Sequence, residues 1–175
     1  MSSMWKLDLT EVHKLLVDSS HPVQWEHVES RGKDLGKISH HSSIVFGEDV
    51  VFYGGMKGED SNPDIALFKT ETATWTMLKQ VGEALPRDDH STCKINDTDF
   101  IVFGGFVNGS RVNELVKFTF DGSSITSKAI EVQGDAPCPR NSHFIAHESN
   151  KLYTFGGQDD DNNKLDDLWE FDLSQ

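Results

Sequence analysis

The sequence predicts an all-β fold built from a repeated four-stranded antiparallel unit. Three observations carry this. Paired glycines recur at Gly54-Gly55, Gly104-Gly105 and Gly156-Gly157, spaced 50 and 52 residues apart. Each pair closes a short β-branched and aromatic run: Val50 to Tyr53, Phe100 to Phe103 and Leu152 to Phe155. Upstream of each pair stands a basic residue followed three positions later by histidine, as Lys37/His40, Arg87/His90 and Arg140/His143. Self-similarity at a fixed period of this size marks a repeat architecture.

Taken in order, the unit opens with the strand that follows the histidine. A polar turn (47–49, 96–99 or 149–150) leads to the second strand, as turn residues between two apolar runs do in hairpins. That second strand is the β-branched and aromatic run closed by glycine, which reads as a buried strand rather than a helix. A polar loop follows the glycines. The third strand then carries an aromatic residue, Phe68, Phe118 or Phe171, lying 13, 13 and 14 residues past the second glycine. Leu7 takes the same place in Met4-Trp5-Lys6-Leu7-Asp8-Leu9, which parallels Leu168-Trp169-Glu170-Phe171-Asp172-Leu173. The fourth strand is marked by Trp25 and Trp75, with Ile125 a further 50 residues on. One such sheet has two apolar faces and cannot cover them alone; units stacked around an axis cover each other. The glycines permit close backbone approach, and the tryptophans are expected to fill space between neighbouring units.

This pattern resembles the kelch repeat, whose period is about 50 residues. The resemblance spans nearly the whole chain, and implies a kelch-type β-propeller of four-stranded antiparallel blades. Lys37, preceded by Gly36, stands where Pro-Arg is usual, and Ile125 where Trp is usual. Kelch propellers have about five to seven blades, hence roughly 250 to 350 residues at this period. With 175 residues the propeller is partial. Residues 1–30 supply strands 3 and 4 of one blade with an enlarged connection over 10–22, where Val12, Leu15 and Leu16 are at helical spacing. Residues 37–80 and 87–133 each supply a full blade, and 140–175 supply strands 1 to 3 of another. Three completions are consistent with this: a longer polypeptide, a second copy, or a capping partner. Open strand edges invite pairing, so self-association or partner-capping is expected.

Composition bounds the function. The formal net charge of −13 repels phosphate backbones and anionic lipid, which argues against nucleic-acid and membrane partners. No apolar run approaches the roughly 18 residues of a membrane span, and residues 1–8 lack the pattern of a signal peptide. The two cysteines, Cys93 and Cys138, have no metal or redox spacing and suggest a reducing compartment. The expected location is cytoplasmic, including a cytoskeletal association.

Chemistry-bearing residues are few. The histidine series is expected to serve a repeated hydrogen bond rather than a metal, and Arg87 and Arg140 to tie blades together. Asp159, Asp161, Asn163 and Glu170 fall at positions 1, 3, 5 and 12 of a calcium loop, but Lys164 replaces the turn glycine. The segment therefore reads as a solvated acidic loop, and no metal or cofactor is expected. Enzymes on kelch-like propellers include copper oxidases and sugar-processing enzymes, so the resemblance keeps a metal-dependent or sugar-processing enzyme as the alternative. Only Tyr53 and Tyr153 could serve a tyrosine-histidine copper set, and both lie inside second strands.

The favoured expectation is a protein-protein interaction module, acting as scaffold or adaptor. In a four-stranded blade the 2–3 loops (56–64, 106–114 and 158–167) and the 4–1 loops (29–37, 80–87 and 133–140) emerge on one face. They are long, polar and dissimilar, as binding loops on a rigid scaffold are. Glu59, Asp60, Asp64, Glu114, Asp135, Asp159, Asp160 and Asp161, with Arg111 among them, are the candidate contacts for a partner with a basic segment. Open blade edges are the second candidate surface.

Overall fold

The computed structural model describes residues 4–8 and 24–174. The enlarged connection and its helical spacing at 10–22 lie outside the described residues. The chain opens with a pair of strands, β1 (Met4–Leu7) and β2 (Trp25–Val28), followed by the short β3 (Arg31–Gly32). Blade 1 comprises β4 (Ser42–Phe46), β5 (Asp49–Tyr53), a loop hairpin of β6 (Met56–Lys57) and β7 (Asp60–Ser61), then β8 (Ile65–Lys69) and β9 (Thr74–Gly82). Blade 2 repeats this with β10 (Ser91–Lys94), β11 (Asp99–Phe103), β12 (Phe106–Val107), β13 (Ser110–Arg111), β14 (Leu115–Phe120) and β15 (Ser124–Ile130). Blade 3 has β16 (Phe144–Glu148), β17 (Lys151–Phe155) and β18 (Leu168–Asp172). The described structure is all-β, a partial propeller.

The continuous apolar second strands are explained by the two cores. Along β11, Phe100 and Val102 point toward blade 1 and join Ile44, Phe46, Val51, Tyr53 and Leu67. The alternate residues Ile101 and Phe103 point toward blade 3 and join Ile145 and Leu152. Side chains of a strand alternate between faces, so a sheet sandwiched between two others needs apolar residues at both parities. Phe100 and Phe118 stack at 4.9 Å on the blade 1 side.

Blades are also joined at their outer strands. The end of β9 crosses to run parallel with β15, pairing Lys79 with Ser124 and Gly82 with Ser127. One blade earlier, β3 pairs parallel with β9, matching Gly32 to Trp75. A Cβ at Gly32 or Gly82 would fall inside contact distance of the Trp75 or Ser127 backbone, so the crossing requires glycine.

This crossing corrects the alignment of strand four. Trp75 lies opposite Phe68, whereas Phe118 lies opposite Ser127. Ser127, not Ile125, therefore occupies the Trp75 register; the β14–β15 hairpin is longer and carries Ile125 outward to face Phe120. Trp75 packs on Phe52 and Phe68 of its own blade and donates its indole N–H to Ser30 of the preceding segment at 3.2 Å.

The opening of the blade is corrected too. The bridges Ser39–Met56, Asp88–Phe106 and Asn141–Gln158 are equivalent. His41, not His40, is thus the counterpart of His90 and His143, and Ile38, not Lys37, that of Arg87 and Arg140. The β4–β5 hairpin turns on Gly47 and Glu48, tighter than the turn between β10 and β11, and this shortening shifts the spacing by one residue.

Candidate protein-binding face

The loop face is positioned from below by two arginines with no solvent exposure, Arg87 and Arg140. Arg140 donates to both carboxylate oxygens of Asp167 at 2.7 Å, to the Gly156 carbonyl at 3.0 Å and to the Cys138 carbonyl at 3.2 Å. Arg87 donates to the Gly104 carbonyl at 3.1 Å and to Glu114 at 2.8 Å. Each arginine thus fastens the glycine turn and the far end of the 2–3 loop in its own blade. Each also reaches the preceding blade through its carbonyl, which accepts the amide of Gly55 (for Arg87) or Gly105 (for Arg140). In blade 1, where Ile38 has no such donor, buried Asn62 donates its amide to the Gly54 carbonyl at 3.2 Å and the Asp64 carbonyl at 3.0 Å. The Arg140 guanidinium holds the Asp167 carboxyl down at about 2.

His90 and His143 are wedges between blades. The His90 ring lies edge-on to Tyr53 of blade 1 at 5.1 Å, and His143 edge-on to Phe103 of blade 2 at 5.1 Å. A Cβ on Gly54 or Gly104 would meet these rings. His90 Nε2 meets the Ser42 hydroxyl at 2.8 Å. Neither ring nitrogen of His143 has a hydrogen-bond partner among the described residues, so a shared strand-to-strand hydrogen bond is not what repeats. Burial, reinforced by Arg87, pushes His90 down to about 3, and burial with Arg140 pushes His143 down to about 4.

Above these anchors, the loops of successive blades touch. Asn113 donates to the Pro137 carbonyl at 2.9 Å, the Arg140 amide donates to the Val112 carbonyl, and the Ser142 amide donates to the Asp89 carbonyl. Arg111 lies over the Phe106 ring at 4.9 Å and donates to Asn141 and Asn162, while Asn141 and Ser142 donate to Asp89. Ser61 donates to Asp88 at 2.8 Å.

The predicted contact residues therefore divide. Glu59, Asp60, Asp135, Asp160 and Asp161 are exposed. Glu114 is committed to Arg87, Arg111 to the Asn141–Asn162 bridge, and Asp159 to its own turn, where it accepts from the amides of Asp161 and Asn163. Asp64 is half-buried beside Asn62, whose side-chain oxygen accepts its amide. These four correct the expectation of free contacts. Sequence reading missed Asn62, Asp88, Asp89, Asn141 and Asp167; their signal was equivalence between repeats, visible only once the register was right. Glu170 on β18 is paired with Lys151 on β17 at 2.6 Å. Among the described residues no three His, Cys, Asp or Glu side chains gather as metal ligands would. Tyr53 donates its hydroxyl to the Leu85 carbonyl at 3.1 Å. No helix among the described residues is long and apolar enough to cross a membrane.

The profile of the KLHDC2/KLHL20/DRC7 Kelch-repeats domain matches residues 1–119 and again 60–175. The chain belongs to the kelch-repeat family. Among curated kelch-type relatives it is 31% identical over 165 residues to an F-box/kelch-repeat protein of Arabidopsis thaliana, covering 87% of this chain and 34% of that protein. It is 28% identical over 143 residues to the Rab9 effector protein with kelch motifs of Bos taurus, covering 79% and 38%. It is also 29% identical over 153 residues to the flagellar outer-arm dynein alpha chain of Chlamydomonas reinhardtii, covering 83% and 3%. The chain thus spans well under half the length of each of these relatives.

Proposed function

We propose that this kelch-repeat chain is a cytoplasmic, non-catalytic interaction module that binds the basic segment of a partner protein on its loop face. The observation that carries the reading is a division of labour among loop carboxylates. Glu114, Asp159 and Asp167 are consumed in holding the loops, while Glu59, Asp60, Asp135, Asp160 and Asp161 face solvent on the same set of loops. A rigid surface with unneutralised acids attracts cationic chains and speeds their encounter. Two relatives support the class by name, one as an effector and one as an F-box protein. Both cysteines are free thiols, in keeping with a reducing compartment.

Calorimetric titration with a Lys/Arg-rich peptide tests the reading. Binding is expected to weaken as salt rises, and to weaken at least about tenfold when Glu59, Asp60, Asp160 and Asp161 are changed together to their amides, since several rim charges are removed at once. Affinity that ignores both salt and these substitutions contradicts the proposal.

A further inference from the structure

We propose that Asn108, at the tip of the blade 2 loop hairpin, is a self-modification site: its side-chain amide is lost by reaction with water, and the carboxylate left behind adds a charge to the loop face.

The turn supplies the reactants. β12 and β13 pair Phe106 with Arg111 and Val107 with Ser110, which leaves Asn108 and Gly109 as a two-residue connection. Both have left-handed backbone, at φ +51° and +79°, the geometry that selects Asn-Gly in a hairpin. Asn108 is exposed, and neither its side chain nor the Gly109 amide has a hydrogen-bond partner among the described residues. Nothing lies within 4 Å of a Cβ built on Gly109, so the nitrogen beside it is open to approach.

The other described asparagines each lack part of this setting. Asn62 is buried, donates to two carbonyls and precedes Pro63, which has no N–H. Asn141 is buried between Arg111 and Asp89. Asn96, Asn113, Asn162 and Asn163 each use their side-chain amide in a hydrogen bond. Asn150 is exposed, but the nitrogen that follows it belongs to Lys151, already part of β17.

The chemistry needs only water. The Gly109 nitrogen, after losing its proton to hydroxide, attacks Cγ of Asn108. The Cγ–Nδ2 bond breaks, and the nitrogen leaves as ammonia with a proton taken from solvent. Water then opens the five-membered imide at one of its two carbonyls, giving aspartate or isoaspartate. The sum is amide plus water to carboxylic acid plus ammonia, with nothing oxidised or reduced. Attack requires the tip to rotate its backbone so that the nitrogen comes over Cγ. Only the tip has to move, because the base of the hairpin is fastened: the Phe106 amide donates to the Asp88 carbonyl, and Arg111 to Asn141.

The effect on binding rests on the loop-face reading above. The blade 1 tip exposes Glu59 and Asp60, and the blade 3 tip Asp160 and Asp161. The blade 2 tip, residues 107–111, has no acid and ends on Arg111. Conversion gives all three tips a carboxylate. Aspartate keeps the turn, since Asp tolerates left-handed backbone; isoaspartate adds a methylene to the main chain and opens a connection built for two residues.

Peptide mapping by mass spectrometry of the folded chain, aged at mildly alkaline pH, tests the chemistry. Asn108 is expected to convert at least about tenfold faster than any other asparagine, and faster at alkaline than at mildly acidic pH, because the attacking nitrogen must first lose its proton. An isoaspartate-specific methyltransferase is expected to label the aged chain, and not an Asn108→Gln variant with unchanged circular dichroism. An Asn108 that converts no faster than the other asparagines overturns the proposal, and so does label that persists in the variant. The charge effect is read by titrating Asn108→Asp with a Lys/Arg-rich peptide, which is expected to bind about two- to fivefold tighter than to the unmodified chain at low salt. Equal affinity overturns the effect on binding. A peptide that binds neither chain overturns the loop-face reading itself, and the mass result then still decides the chemistry.

Discussion

Replacing Arg140 with methionine probes the anchor beneath the loops, and the structure sets its cost. Methionine keeps the unbranched stem in the buried slot but removes two charge-assisted bonds to Asp167 at 2.7 Å, one bond to the Gly156 carbonyl and one to the carbonyl of exposed Cys138, which water can replace. Bonds to charged groups contribute about 1.5–3 kcal/mol each. The Asp167 side chain is 37% exposed, so water recovers much of its share and the pair is discounted to about 1–2 kcal/mol. The Gly156 carbonyl sits in a buried turn, and leaving it unpaired adds about 1–2 kcal/mol. The sum is a loss of about 2–4 kcal/mol. Arg87 makes a single bond to Glu114, whose side chain is 52% exposed, so Arg87→Met is expected to cost less, about 1–3 kcal/mol. Urea unfolding followed by circular dichroism reads both. A loss below about 1 kcal/mol for Arg140→Met, or a larger loss for Arg87→Met, refutes the anchoring role. Asp167→Asn combined with Arg140→Met should be strongly sub-additive, as expected for groups in one network.

The histidine wedges give a pH dependence. His90 and His143 are held near 3 and 4 against an ordinary value of 6.5, so the unfolded chain binds more protons in between. Stability is therefore full above about pH 6.5 and falls as the pH drops toward 4, at up to about 2.7 kcal/mol per pH unit for the two together; urea midpoints measured from pH 7 to 4.5 should fall, and His90→Gln should flatten the decline by roughly half. Gly82→Ala, at φ +126° against the Ser127 backbone, should cost at least about 2 kcal/mol. Gly122→Ala, at φ +92° with open space around it, should cost about 1 kcal/mol in the same assay. Exposed Cys138 should alkylate readily in the native state, whereas Cys93, whose thiol is pushed up to about 12 by burial, should react only on unfolding; mass spectrometry after a short pulse distinguishes them.

What could be read from the sequence follows from what is physically periodic. The glycine pairs recur because the first glycine lets the next blade's backbone come close (Gly54 and Gly104) and the second lets its own blade's opening segment do so, and the second strand of blade 2 is apolar from Phe100 to Phe103 because β11 is covered on both sides. Both signals survive without any alignment. Spacing misled wherever a hairpin changed length: the tight turn at Gly47 made His41 rather than His40 the counterpart of His90, and the longer β14–β15 hairpin put Ser127 where equal counting put Ile125. The crossing of β9 onto β15 left almost no trace, since one glycine in a polar stretch looks like any turn. On the loop face, composition found the acids but could not divide them. Whether a carboxylate meets solvent or a buried guanidinium depends on a partner dozens of residues away, as Asp167 and Arg140 show.

The central claim is that the acidic loop tips are the binding surface, and amide chemical-shift mapping with a Lys/Arg-rich peptide tests it most directly. The account predicts that shifts cluster at residues 58–61, at Asp135 and at 159–162, with little change along β10 and β11 and loss of the effect as salt rises. Shifts confined to β18, or spread evenly over the chain, would contradict it.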